Sequence, residues 1–74
     1  MPIGTITTYK GALSNEQKQE LHREFTDMMV RIEGNGNEEL RKYVILNIKE
    51  VEHSQLSWGG RCPTKKLLDH LTTK

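Results

Sequence analysis

A long amphipathic helix predicted between two strand-forming segments is the feature that most restricts how this chain can fold. Residues 3 to 9 are rich in β-branched types and predict a first strand. An S-x-x-Q capping box starts at Ser14, and apolar residues then recur at helical spacing, which predicts a helix over 15 to 33. Residues 42 to 51 predict a second strand. This order makes a βαβ unit, with two parallel strands and a right-handed crossover.

The apolar residues of the helix and of the second strand each define one face. The helical stripe consists of Leu21, Phe25, Met28, Met29 and Ile32. We interpret its two methionines as core filler. One face of the strand is wholly apolar, at Val44, Leu46 and Ile48. We expect that face to pack on the helix, and the mixed face to meet an active-site pocket or a neighbouring subunit.

After the second strand the sequence predicts two further features. Residues 54 to 60 indicate a loop or tight hairpin, since Gly59 and Gly60 permit unusual backbone angles. Residues 65 to 72 predict a short terminal helix with leucines on one side. The chain contains no internal repeat, so we interpret residues 1–74 as a single domain.

The small size of the chain indicates that it needs additional stabilisation. A core built from 74 residues is rarely sufficient by itself. The single Cys62 excludes an internal disulfide and fits a reducing compartment. The three histidines are too dispersed for a metal site, and we expect neither a metal nor a cofactor. Since one helix cannot cover both faces of a sheet, we predict a homo-oligomer.

Charge and hydropathy argue against other classes of partner. The formal net charge is +1 and the longest basic runs are pairs, which disfavours nucleic acid. No apolar stretch approaches the roughly 20 residues of a membrane span, and the start of the chain does not resemble a signal peptide. We therefore predict a cytoplasmic location and no membrane partner.

Proline at position 2 is the main candidate for chemistry. Cells usually remove an initiator methionine that precedes a small residue, which would leave Pro2 with a free secondary amine. An α-amino group titrates at roughly 7.7–8.0, and burial lowers that pKa towards the range that proton transfer at neutral pH requires. With Met1 attached, the same nitrogen is an amide without useful basicity. Pro2 is therefore a candidate general base and acid.

The order of these features resembles the tautomerase superfamily, specifically the short 4-oxalocrotonate tautomerase-like proteins. The resemblance covers roughly residues 2 to 62. Its matching elements are Pro2 after Met1, Gly11 followed by Leu13-Ser14-Asn15-Glu16-Gln17-Lys18, the strand segment Tyr43-Val44-Ile45-Leu46, and the hairpin end Trp58-Gly59-Gly60. It implies a βαβ protomer whose strands join neighbours into a hexamer, or less often a trimer. It also implies an N-terminal proline that moves a proton between carbon and oxygen of an enol.

The resemblance further implies arginines that hold the substrate carboxylates, and this part of the pattern is altered. The first family arginine follows the glycine after strand one, where this chain has Ala12. The second stands at the start of strand two, where this chain has Tyr43. Arg41 lies two residues earlier, on the same strand face if the strand extends that far. Arg41 or Arg61 is the candidate replacement for the clamp.

An aromatic residue in the hairpin is implied to keep the pocket apolar. It falls at Leu56 if the double glycine sets the register, and Trp58 lies two positions further with the same parity. We interpret Tyr43, Leu56 and Trp58 as the pocket lining, with Arg61 brought near Trp58 by the glycines.

These residues predict an isomerase, a keto-enol tautomerase that depends on Pro2. Its partner would be a small-molecule carboxylate: a 2-hydroxydienoate, or a related enol or unsaturated acid. One alternative is a hydratase or dehalogenase relative that uses the same proline. Another is a non-catalytic oligomeric binding module, which Ala12 favours.

Overall fold

The structure is a computed structural model that describes residues 1–72, and its elements follow the predicted order. In chain order they are β1 (Ile3–Tyr9), α1 (Asn15–Ile32), β2 (Ile45–Val51) and α2 (Lys65–Thr72). Short 3₁₀ turns occupy Glu38–Tyr43 and His53–Gln55. The predicted α/β fold with a parallel two-stranded sheet, a hairpin and a terminal helix is confirmed.

The two strands pair in parallel over their whole length. The register sets Ile3 opposite Ile45 and Tyr9 opposite Val51. One further bond extends the ladder at each end: the Ile45 amide donates to the Pro2 carbonyl at 3.0 Å, and the Lys10 amide donates to the Val51 carbonyl at 2.8 Å. Pro2 is therefore held at the amino end of the sheet by backbone geometry.

Helix α1 begins and ends where local sequence signals predict. The Ser14 hydroxyl accepts from the Gln17 amide at 3.1 Å, and the Gln17 side chain accepts from the Ser14 amide at 2.9 Å. This is the predicted capping box, and loss of such a cap costs about 1 kcal/mol. After the helix, Asn35 and Gly36 have positive φ angles of 51° and 84°, and the Gly36 amide donates to the Val30 carbonyl at 2.9 Å.

Helix α1 covers one face of the sheet. The Phe25 ring lies over Gly4, so closely that a Cβ there would be 2.6 Å from Cζ of the ring. Leu46 lies opposite Gly4 in the ladder and is half-buried, as the predicted parity requires. The predicted stripe omitted Val30, which is only 3% exposed. The core-filler interpretation is wrong for Met28, which is 39% exposed in this chain.

The second strand is shorter than predicted. It begins at Ile45, so the prediction of a strand from residue 42 is wrong for residues 42 to 44. Asn37 caps a 3₁₀ turn instead, its side-chain oxygen accepting from the Glu39 amide at 3.0 Å. Arg41 and Tyr43 belong to that turn and do not lie on the strand.

The other face of the sheet is open. Ile3 and Ile45, which are neighbours across the ladder, are 68% and 43% exposed. None of the helices among the described residues is long and apolar enough to cross a membrane.

Candidate active site

Pro2 is buried at the amino end of β1. Its carbonyl is fixed by the Ile45 amide, and Met1 precedes it, so its nitrogen is an amide in this chain. The α-amino group of Met1 lies 3.9 Å from a carboxylate oxygen of Glu33, in a solvent-exposed ion pair. Pro2 therefore combines burial with a fixed backbone, and its nitrogen becomes basic only when Met1 is removed.

Arg41 is engaged by carboxylates of its own chain. Its Nη1 donates to Oδ1 of Asp27 and its Nε donates to Oε1 of Glu38, both at 2.8 Å. The hydrogen bonds that Arg41 donates to Glu38 and then to Asp27 raise the pKa of Arg41, and the bond to Glu38 lowers the pKa of that carboxylate. A substrate carboxylate at Arg41 would have to compete with both partners. In this chain the guanidinium ties the 3₁₀ turn to α1.

Tyr43 lies near the same end of the sheet as Pro2, because it precedes Ile45 by two residues. Its ring is 49% exposed, and it lines a shallow pocket with Leu40. The Lys42 ammonium lies 5.6 Å from the ring centroid. We call Pro2, Arg41 and Tyr43 the amino-end cluster.

The predicted tight hairpin is present around the double glycine. Trp58 and Arg61 exchange backbone hydrogen bonds of 2.9 and 3.0 Å. Gly59 and Gly60 have φ angles of 59° and 85°, which residues with a Cβ rarely adopt, so glycine is required at both central positions. Leu56 precedes the turn and is 40% exposed. We call Leu56, Trp58 and Arg61 the hairpin cluster.

Trp58 lies at the carboxyl end of β1, beside α2. It borders a cavity of about 240 Å³ that we call the strand-end cavity. The cavity is lined by Thr8, Tyr9, Lys10, Gly11, Ala12, Trp58, Leu68, Asp69, Leu71 and Thr72. At about 3.3 Å per residue, Pro2 is some 20 Å or more from Tyr9 along β1. Within one chain the amino-end and hairpin clusters are therefore at opposite ends of the sheet.

Arg61 is not among the residues that line this cavity. It lines a second pocket with Trp58, Cys62 and Leu67, among others. The thiol of Cys62 lies 3.8 Å from the Ser54 carbonyl, a long contact to a backbone acceptor. Arg61 and Trp58 thus share one surface. Among the described residues, no group of three His, Cys, Asp or Glu side chains is placed to hold a metal ion.

The strand-end cavity includes residues that sequence reasoning did not place at a site. Leu68 and Leu71 come from α2, which lies beyond the resemblance, and Lys10 comes from the turn after β1. The available signal was the leucine spacing in residues 65 to 72, which shows an apolar side to the helix. It does not show which part of the chain that side meets.

The fold is similar to that of a protein of known structure. No family model matches this chain, and no curated protein matches it. Among solved structures, the crystal structure of DmpI from Helicobacter pylori is similar, with a TM-score of 0.67 and 27% sequence identity. The match covers 82% of this chain and 94% of that chain. The two chains therefore share the βαβ fold over nearly the whole length of DmpI.

Proposed function

We propose that this chain, which belongs to the tautomerase superfamily, is a keto-enol tautomerase. The premise is its similarity to DmpI, a 4-oxalocrotonate tautomerase-like protein. The proposed substrate is a small 2-hydroxydienoate or a related enol or unsaturated carboxylic acid. The observation that carries the proposal is Pro2, buried at the start of β1 in a chain with this fold.

The proposed chemistry uses the nitrogen of Pro2 after removal of Met1. Burial disfavours the charged ammonium form, so the pKa of the amine would lie below the usual value of roughly 7.7–8.0. The neutral amine takes the enol hydroxyl proton as the carbon–oxygen double bond forms. The prolinium then returns a proton to carbon, where the carbon–carbon double bond is lost. One residue acts as base and then as acid, so the enzyme is regenerated.

The complete site in this proposal is shared between chains. The amino-end and hairpin clusters are too far apart in one chain to contact one small substrate, so the hairpin cluster of a neighbour would complete the pocket around Pro2. The open sheet face at Ile3 and Ile45 supports a homo-oligomer. The resemblance favours a hexamer over a trimer. Arg61 is the better candidate for the substrate carboxylate, because Arg41 is already paired.

The first test is the Pro2→Ala variant of untagged protein, with Met1 removal checked by intact mass. We expect ketonisation of an aryl 2-hydroxy enol acid to fall by about 100-fold or more, the usual contribution of a positioned proton-transfer group. The oligomer mass and the far-ultraviolet circular dichroism spectrum should not change.

A matched control blocks the same nitrogen without changing the side chain. An N-terminal tag leaves Pro2 as an amide, so the tagged protein should lose activity to the same extent. Retained turnover in either protein would contradict the mechanism. Retention of Met1 in untagged protein would instead favour the non-catalytic binding module.

A further inference from the structure

We propose that the strand-end cavity binds a ring-sized apolar group of the substrate, and that Ala12 and helix α2 determine this specificity. The proposal rests on the proposed function, because it names the substrate class of that site: a monocarboxylate that carries an aryl or similarly sized apolar group.

The size and lining of the cavity suit a ring. An apolar cavity of about 150 Å³ is sufficient to hold benzene. The strand-end cavity has about 240 Å³, enough for a six-membered ring and a short linker. Leu68 and Leu71 of α2 line it, together with Trp58 and Ala12.

The charges at the cavity wall do not favour a carboxylate inside it. Lys10 contributes an ammonium, but its Nζ lies 3.4 Å from Oε1 of Glu52. Asp69 contributes a carboxylate, whose Oδ2 lies 3.2 Å from Nζ of Lys65. A substrate carboxylate in the cavity would compete with Glu52 for Lys10 and be repelled by Asp69. Placing an uncharged group there avoids both costs.

Ala12 and Trp58 give the cavity its selectivity. Ala12 lies on the wall at the position where the resemblance implies a carboxylate-binding arginine, so a methyl group replaces a cation at this end of the site. Trp58 is 66% exposed, and its ring can stack with an aromatic ring. Leu71 is 69% exposed beside it, and a bound ring would cover both side chains.

Binding can be measured without turnover, because Trp58 is the only tryptophan of the chain. We would titrate the Pro2→Ala protein with 3-phenylpropanoate, butanoate and hexanedioate and follow Trp58 fluorescence. We expect 3-phenylpropanoate to bind at least about tenfold more tightly than either of the others, since only it buries a ring. Equal affinity for 3-phenylpropanoate and butanoate would overturn the proposal.

Two leucines of α2 provide a matched pair of variants. Leu71→Ala removes a side chain from the cavity wall, while Leu67→Ala removes an equal volume from the second pocket that Trp58 borders. Both leucines are largely exposed, so both variants should fold. We expect Leu71→Ala to reduce the preference for 3-phenylpropanoate over butanoate about fivefold or more and Leu67→Ala, beside Arg61, to leave that preference unchanged. Equal effects of the two variants would contradict a specific role for α2.

Exchange at position 12 tests the charge argument. Ala12→Arg should lose 3-phenylpropanoate binding and gain hexanedioate binding, whereas Ala12→Met, of similar length without charge, should gain no hexanedioate binding. An unchanged preference for 3-phenylpropanoate over hexanedioate in Ala12→Arg would overturn the proposal.

The outcomes distinguish this inference from the proposed function. Ring-selective binding without any Pro2-dependent turnover would reject the proposed function alone. Turnover without ring-selective binding would reject this inference alone.

Discussion

At the scale of single residues, Gly4 has the clearest packing requirement. A Cβ there would be 2.6 Å from Cζ and 2.9 Å from Cε1 of Phe25. Side-chain contacts this short do not persist, so either the ring or the strand would have to move. The absence of a side chain at Gly4 therefore makes room for the end of the Phe25 ring against β1.

We predict that Gly4→Ala lowers the free energy of unfolding by about 1–3 kcal/mol, the usual cost of overpacking. This exceeds the roughly 0.4–1 kcal/mol that alanine contributes by restricting the unfolded chain. The midpoint of urea unfolding measures the change. As a control, Gly4→Ala should cost less in a Phe25→Leu background than in the wild-type background. An unchanged midpoint for Gly4→Ala alone would show that the Phe25 ring does not pack as described.

At the scale of elements, one ion pair joins the first turn of α1 to the end of β2. Nζ of Lys18 donates to Oε1 of Glu50 at 2.6 Å, across 32 residues of sequence, and both side chains are less than one third exposed. The hydrogen bond from Lys18, assisted by its positive charge, lowers the pKa of Glu50 below its ordinary value of 4.5. The pair therefore fixes the helix against the strand.

This lowered pKa predicts a pH-dependent contribution to stability. A carboxylate whose pKa is lower in the folded state stabilises the protein above its unfolded pKa and loses that effect as the pH falls through the folded value. Glu50→Gln should therefore be less stable than wild type at pH 6, and the two should converge as the pH falls through the lowered pKa of Glu50. Thermal unfolding across that range measures this. Glu39→Gln, which breaks a more exposed pair with Lys42, is the matched control and should change stability little at pH 6, as exposed ion pairs usually do.

At the scale of the whole molecule, one chain buries very few of its hydrophobic side chains. Among the described residues, Val30 is the only hydrophobic side chain other than proline that is buried. Ile3 and Ile45 are exposed together on the open sheet face, and Trp58 and Leu71 are exposed at the hairpin end. A chain with this surface is expected to gain much of its stability from contacts with other chains.

We therefore predict that the melting temperature falls on dilution, because dissociation removes stabilising contacts. Ile45→Lys should yield monomers by light scattering and a lower melting temperature, since it places a charge beside Ile3 in the exposed apolar part of the open face. Gln19→Lys, an exposed change on α1, is the matched control and should keep the wild-type mass. A monomeric wild type whose melting temperature does not depend on concentration would contradict the prediction.

The elements whose signals are local were predictable from sequence alone. The Ser14 capping box begins α1, β-branched residues form β1, and Gly59-Gly60 allow the hairpin, because each depends on residues within a few positions. The candidate role of Pro2 could also be stated from its position after Met1. What these signals predict is the order of the elements and the chemistry that each carries.

Only the tertiary structure decided how these pieces meet. β2 begins at Ile45, and Arg41 lies in a 3₁₀ turn, where it binds Asp27 from a different element. Val30 is the buried side chain because burial depends on how α1 is rotated against the sheet, which helical spacing does not specify. Trp58 lies at the opposite end of β1 from Pro2, because the hairpin lies beside residues 8 to 12 and α2. These outcomes depend on contacts between residues distant in sequence, and local patterns do not encode such contacts.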